Sequence, residues 1–204
     1  MRTLALRARC AVGAARFWEL RSDPGWDAYQ AACDGHTFVL ERSEERSTRM
    51  RRVTRLLQAW PRPLLTVLGL RAASELYVRV EMEWDAAAHG PDTPCTLVVT
   101  VPAIGDRFRV SGRLWVEARG DACELCTHYT IDVRAPWPFG AQIEAAVARA
   151  MLASYAAQPR HAEAYVRATR VRCVAARTPG SICVPREGVQ IITPPAAQRA
   201  CASA

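Results

Sequence analysis

The chain has 204 residues and a formal net charge of +7 at pH 7, a length that suits one ordinary domain followed by a tail. Half of the residues are hydrophobic and 23% are charged, which excludes the composition of a disordered chain, and no apolar run approaches the ~20 residues of a membrane-spanning helix. All 27 basic residues are arginines, and residues 168–204 hold five of them against the single acid Glu187. The rest of the chain is only mildly basic, so the charge does not indicate a specific nucleic-acid partner.

The N-terminal stretch MRTLALRARC allows two interpretations. Its arginines, with no acid before Glu19, have the composition of an organelle-targeting peptide. The alternation of Leu4 and Leu6 with Ala5 and Arg7 instead predicts a first strand. We favour the strand, because the chain runs on into RFWELRSDP without a linker. A cytoplasmic location, peripheral to membranes, is then expected, with organelle targeting as the alternative.

Two short helices should follow the first strand. The stretch VGAARFWELRS predicts the first helix, and SDPGWDAYQAACDG predicts the second. Ser22 or Asp23 can act as the N-cap of the second helix, Pro24 suits its first turn, and Gly35 lies just past its end.

A hairpin of two strands is predicted next, from HTFVLERSE and STRMRRVTRLLQ. On its second strand, Arg52 shares a face with the apolar residues Met50 and Leu56. This arginine either binds an anion inside the fold or lies near the sheet rim and extends outward. We favour the rim position, because unpaired arginines are rarely buried.

A leucine-rich segment, AWPRPLLTVLGLRAA, interrupts the strands and is bracketed by Pro61, Pro63 and Gly69. It is too apolar for a solvated loop, so it either packs on the core as a short helix or forms a lid over a cavity. Transient membrane contact is a further use of the same apolar side. The residues assigned to the lid or membrane contact are Trp60, Leu64, Leu65, Leu68 and Leu70.

Four alternating strands and a long helix complete the predicted domain. The strands have one polar and one apolar face, which indicates an antiparallel sheet with one solvated side. An inward glycine among large residues requires a bend or a close approach, and we predict a bend at Gly112, under the C-terminal helix or at the cavity. The helix is expected over residues 141–158, with Pro159 ending or kinking it, and RHAEAYVRA can continue it by another turn or two. We predict one domain over residues 1–167 and a basic, disordered tail over residues 168–204.

No catalytic or metal-binding signature stands out. Cys123 and Cys126 have the C-x-x-C spacing of a zinc or redox site, but residues three apart on a strand point to opposite faces. No second pair has zinc-ligand spacing, and the sequence holds no G-x-S-x-G or H-E-x-x-H motif. We therefore expect no catalytic residue, no metal and no cofactor.

The element order resembles that of the START-like superfamily, also called Bet v 1-like, SRPBCC or helix-grip. The resemblance is carried by FWELRSDPGWDAY, PRPLLTVLGL, GDRFRVSGRLWVE and APWPFGAQIEAAV. The last two blocks are most similar to VASt-type lipid-binding modules and to uncharacterised bacterial START-like families. The resemblance implies an α+β fold, in which a curved antiparallel sheet of about seven strands wraps a long C-terminal helix.

The resemblance also implies that the sheet and the helix enclose a cavity for a lipid, a sterol or another apolar ligand, with transfer of that ligand as a further role. Two other hypotheses stay open: a cyclase-type or hydrolase-type enzyme using the same cavity, and a cavity-free interaction module. The oligomeric state is left open. The predicted cavity residues are Met50, Leu56, Val78, Val80, Met82, Phe108, Val110, Gly112, Leu114, Tyr129, Ile131, Ile143, Val147, Met151 and Tyr155.

Overall fold

The computed structural model describes residues 1–57, 76–135 and 139–175, with side chains as far as Thr169. The strands are β1 (Arg2–Cys10), β2 (Thr37–Arg46), β3 (Arg49–Leu57), β4 (Tyr77–Asp85), β5 (Cys95–Thr100), β6 (Phe108–Arg119) and β7 (Ala122–Val133). The helices are α1 (Ala14–Ser22), α2 (Pro24–Cys33) and α3 (Phe139–Ala175), and a 3-10 segment, Pro102–Arg107, joins β5 to β6. The predicted order of one strand, two short helices, six strands and a long helix is confirmed.

All seven strands form one curved antiparallel sheet in the order β1-β7-β6-β5-β4-β3-β2. The hairpins connect neighbouring strands, and β1 closes back onto β7 with Cys10 opposite Cys123. β1 and β2 are the edge strands, and the register of β2 shifts between Leu40 and Arg42. The predicted α+β helix-grip fold is confirmed.

The local sequence determines the residues at which α2 begins and ends. The Asp23 carboxylate caps the helix by accepting a hydrogen bond from the Gly25 N–H at 2.8 Å, and Pro24 occupies the first turn. Gly35 follows the helix with a φ of 75°, a conformation that glycine adopts without a Cβ penalty. Asp23 also accepts from the Tyr165 hydroxyl at 2.6 Å, which ties α2 to α3.

Helix α3 packs against β1, β7 and α2. The Tyr155 hydroxyl donates to the Leu125 carbonyl oxygen at 2.6 Å, and Glu144 accepts from the Val133 N–H at 3.2 Å. The helix continues through Pro159 to Ala175, well beyond the predicted end at residue 158. Proline removes one helical hydrogen bond, but burial of Ala162 and Val166 in the core gives the following turns independent support.

The concave face of the sheet and the inner side of α3 share one hydrophobic core. Trp26 and Phe17 contribute large, almost fully buried rings from α2 and α1. Alternation along the strands places the apolar set inward, as the sequence predicts. None of the described helices combines the length and hydropathy needed to span a membrane.

The rim position favoured for Arg52 is wrong. Its side chain is 1% exposed. The guanidinium donates to the Asp27 carboxylate, to the Arg21 carbonyl at 2.9 Å and to the Ser22 carbonyl at 3.0 Å. It also lies 5.2 Å from the centre of the Trp84 ring. The last carbonyls of α1 and the first turn of α2 supply the partners that make its burial tolerable.

Two predictions fall outside the described residues. The lid residues Trp60, Leu64, Leu65, Leu68 and Leu70 belong to the range 58–75, and most of the predicted tail lies beyond residue 175.

Candidate ligand cavity

A cavity of about 280 Å³ lies between the concave face of the sheet and the helices. Its sheet wall consists of Phe38, Thr54, Leu56, Val78, Val80, Met82, Leu97, Val99, Leu114 and Tyr129. Its helix wall, contributed by the end of α1, by α2 and its following loop, and by α3, consists of Arg21, Asp27, Gln30, Ala31, Asp34, His36, Met151, Ser154, Tyr155 and Gln158. The sheet wall is mostly apolar, and the helix wall is mostly polar.

The sheet wall results from the period-two alternation of its strands. On β4, for example, Val78, Val80 and Met82 face inward and are buried, while Arg79 and Glu81 face outward. Tyr129 supplies the only phenolic group of this wall. Burial raises its pKa to about 12, so the phenol keeps its proton and can donate a hydrogen bond at neutral pH.

Gly112 makes room for the Tyr129 ring. The two residues are directly opposite each other on β6 and β7. A Cβ atom at Gly112 would lie 2.5 Å from Cδ1 and 2.7 Å from Cε1 of Tyr129, closer than atoms can approach. The close approach that the sequence indicates at this glycine is therefore the aromatic ring of its cross-strand neighbour.

The helix wall presents side chains that can form hydrogen bonds to a ligand. The Ser154 hydroxyl donates to the Asp34 carboxylate at 2.7 Å, which joins α3 to the end of α2. Gln158 is 9% exposed, and the Nδ1 atom of His36 is buried with no partner among the described residues. This wall can therefore orient the polar part of a ligand.

A charged corner, formed by Arg21, Arg52 and Asp27, lies where α1 meets α2. Burial raises the pKa of Asp27, and the charges of Arg52 and Arg21 oppose that rise. Arg52 is paired with Asp27. Arg21 lines the cavity and is 7% exposed, and among the described residues its side chain donates to the Met82 sulfur alone, at 3.7 Å.

Eight of the predicted cavity residues line this cavity: Leu56, Val78, Val80, Met82, Leu114, Tyr129, Met151 and Tyr155. The structure places the others in the surrounding core, namely Met50, Phe108, Val110, Ile131, Ile143 and, at its border, Val147; Gly112 supports the Tyr129 ring. The prediction missed the polar helix wall. The spacing of Asp27, Gln30 and Asp34 along one face of α2 carried that signal.

The C-x-x-C cysteines lie apart. Cys123 lies next to Cys10 in the core, whereas Cys126 lies on the outer face, where its thiol contacts Glu117. Glu117, Glu124 and Cys126 place possible ligand atoms within 4.8 Å of one another. Burial raises the pKa of the Cys126 thiol to about 11. Arg119 also pairs with both carboxylates.

Several solved structures are similar to this chain. They include the Zhui aromatase/cyclase from Streptomyces sp. R1128, at a TM-score of 0.50 and 18% identity, with 82% of this chain and 97% of that chain covered. Ara h 8.0201 gives a TM-score of 0.51 at 10% identity, covering 82% and 98% of the two chains. Dicamba monooxygenase bound to dicamba gives a TM-score of 0.54 at 11% identity, covering 89% of this chain and 53% of that chain.

At these identities the similarities show the fold alone, a curved antiparallel sheet with a long C-terminal helix. No curated protein matches the sequence significantly. Residues 6–166 match the model of a family described as "Protein of unknown function (DUF2505)". That match covers most of the sequence and includes every described residue of the cavity. The chain therefore belongs to the DUF2505 family.

Proposed function

We propose that the protein binds a compact, largely apolar ligand, such as a lipid or a sterol-like molecule, between its sheet and α3. The observation that carries this proposal is the 280 Å³ cavity with one apolar and one polar wall. Pockets for small molecules span roughly 300–1,000 Å³ and combine apolar walls with a few polar groups. The cavity volume lies just below that range, which favours a compact ligand or one segment of a longer lipid.

The polar groups of the cavity favour binding over catalysis. The Ser154 hydroxyl donates to the Asp34 carboxylate, which is a much weaker base than the imidazole that usually activates a serine nucleophile. Burial raises the pKa of Tyr129 and of Tyr155, so both phenols remain protonated at neutral pH. The cavity itself counts against a cavity-free interaction module. The similarity of two sequence blocks to VASt-type modules supports a lipid as the ligand class.

Native mass spectrometry of the protein purified from its own host tests the proposal. We expect a co-purified small molecule that is lost on denaturation. The cavity-filling variant Val99→Trp should lose this mass, because Val99 lines the cavity. Val98→Trp is the matched control, since adjacent strand residues face opposite sides of the sheet. Retention of the same adduct by Val99→Trp would contradict binding in this cavity.

Control of ligand access by residues 60–70 is a further part of the proposal. It rests on the composition of this segment, in which six apolar side chains lie between strands. Replacement of Leu65 and Leu68 by Ser should reduce lipid transfer between liposomes while the melting temperature stays nearly unchanged. A loss of several kcal/mol of stability, typical of buried leucines, would instead identify the segment as core.

A further inference from the structure

Arg21 is a buried cation without a counter-ion among the described residues. Its side chain is 7% exposed and lines the cavity. Its Nη1 atom donates to the Met82 thioether at 3.7 Å, and its Nε atom has no partner in the described part of the chain. A thioether is a weak acceptor, so the guanidinium keeps most of its capacity to donate hydrogen bonds.

The neighbouring acid does not neutralise Arg21. Asp27 forms its ion pair with Arg52, and no described carboxylate lies within ion-pair distance of Arg21. The corner formed by Arg21, Arg52 and Asp27 therefore holds two guanidinium groups and one carboxylate. A single positive charge remains beside an apolar wall, and this arrangement destabilises the protein unless an anion is bound.

Resting on the proposed function, we infer that Arg21 binds the carboxylate of the ligand, so that the cavity selects compact organic carboxylates over their neutral analogues. A carboxylate matches the planar donor fork of a guanidinium. Its single negative charge neutralises the excess charge of the corner, whereas the dianion of a phosphate monoester would leave a buried negative charge. The apolar sheet wall, including Val80 and Leu114, then accommodates the hydrocarbon part of the ligand.

Calorimetric titration of the full chain with matched pairs of ligands tests this inference. Naphthoate and naphthamide have nearly the same shape, as do octanoate and octanamide, but only the acids carry a charge. We expect the acid of at least one pair to bind about tenfold or more tightly than its amide, as charge-assisted hydrogen bonds allow. The naphthalene pair represents an aromatic acid and the octanoic pair a fatty acid, so comparison of the two pairs shows which kind of carboxylate the cavity binds.

The variant Arg21→Met separates charge recognition from folding. It should bring the affinities of acid and amide to within about twofold, while its melting temperature equals or exceeds that of the wild type, because a buried unpaired charge is lost. Arg109→Met is the matched control: Arg109 is an exposed arginine on the outer face of β6, and its replacement should preserve the preference for the acid.

The outcomes separate this inference from the proposed function. Equal affinity of wild type for acids and amides would overturn the role of Arg21 and leave apolar binding intact. A preference for acids that persists in Arg21→Met would also overturn it. If neither acid binds, the carboxylate inference is wrong, and the adduct found by native mass spectrometry, compared between wild type and Val99→Trp, decides the proposed function independently.

Discussion

The two walls of the cavity are built on different principles. The sheet wall is a repetitive surface in which every second residue of adjacent strands faces inward, and most of its members are aliphatic. The helix wall combines side chains from three separate segments, and its polar residues have individual partners, such as Asp34 for Ser154. The sheet wall thus offers apolar area, whereas the helix wall can distinguish one polar group from another.

Two buried arginines, Arg21 of the helix wall and Arg52 of β3 beside it, show the same contrast on a smaller scale. Arg52 has a carboxylate, two helix carbonyls and an aromatic ring as partners. Arg21, a short distance away, has a thioether. The first arrangement stabilises the fold, and the second leaves a donor free for a ligand. The following predictions test the two walls, in order of decreasing effect.

The largest effect should come from Arg52→Ala, which leaves Asp27 buried without its ion-pair partner. We expect a loss of about 3–5 kcal/mol in the free energy of unfolding, measured by urea denaturation. Arg51→Ala is the matched control. Arg51 lies on the exposed face of β3, the strand that carries Arg52, and it pairs with Glu81 of the neighbouring strand β4. The control should cost at most about 1 kcal/mol. Equal losses in both variants would contradict the buried pair.

A smaller effect is expected at the sheet wall from Gly112→Ala, because the new Cβ atom would collide with the Tyr129 ring. Overpacking of this kind costs about 1–3 kcal/mol. The same substitution made in a Tyr129→Leu background should cost less, since the ring is gone. A double-mutant cycle of thermal or urea unfolding measures this coupling, and a coupling energy of zero would exclude the ring as the cause.

Alkaline pH tests the burial of Tyr129 in the sheet wall. Its pKa rises to about 12 in the folded protein, whereas an unfolded tyrosine ionises near pH ~10. Between these values the unfolded chain has lost a proton that the folded state keeps, so the free energy of unfolding falls as the pH rises. Wild type should lose about 1 kcal/mol per pH unit more than Tyr129→Phe in this window. Parallel pH profiles would show that Tyr129 is solvated.

The smallest effect should come from Ser154→Ala in the helix wall. It removes one half-buried hydrogen bond to Asp34 and should lower the free energy of unfolding by about 0.5–1 kcal/mol. The effect on ligand affinity is more informative than the effect on stability. If affinity for the co-purified ligand changes while Val98→Trp has no effect, the helix wall contributes to recognition.

A period of two was sufficient to predict which face of each strand is turned to the core, but not which inward residues border the cavity: Phe38, Thr54, Leu97 and Val99 line it and were not predicted to. The inward orientation of Val78, Val80 and Leu114 could be predicted without knowing which distant parts of the chain contact them. The helix wall depends on contacts between segments far apart in sequence. Arg52, for example, is buried only because Asp27 and the end of α1 lie above it, and no local pattern on β3 encodes that contact.

The length of α3 also depended on long-range contacts. A proline at position 159 is a local signal for a helix end or a kink, and the local pattern left open whether the helix ends there or continues by another turn or two. Packing of Ala162 and Val166 against the core keeps the later turns in place, so tertiary burial overrides the local preference.

The open order of the sheet has a consequence for self-association. In the described part of the chain, β1 and β2 each have one side without a partner strand, and exposed strand edges are templates for aggregation. The β2 edge is interrupted by the shift at Leu40 and Arg42 and ends in charged residues. The β1 edge exposes Arg7 and Arg9, so pairing with a second β1 would bring arginines together. Both edges therefore disfavour pairing with a strand of another molecule, which an open sheet would otherwise permit.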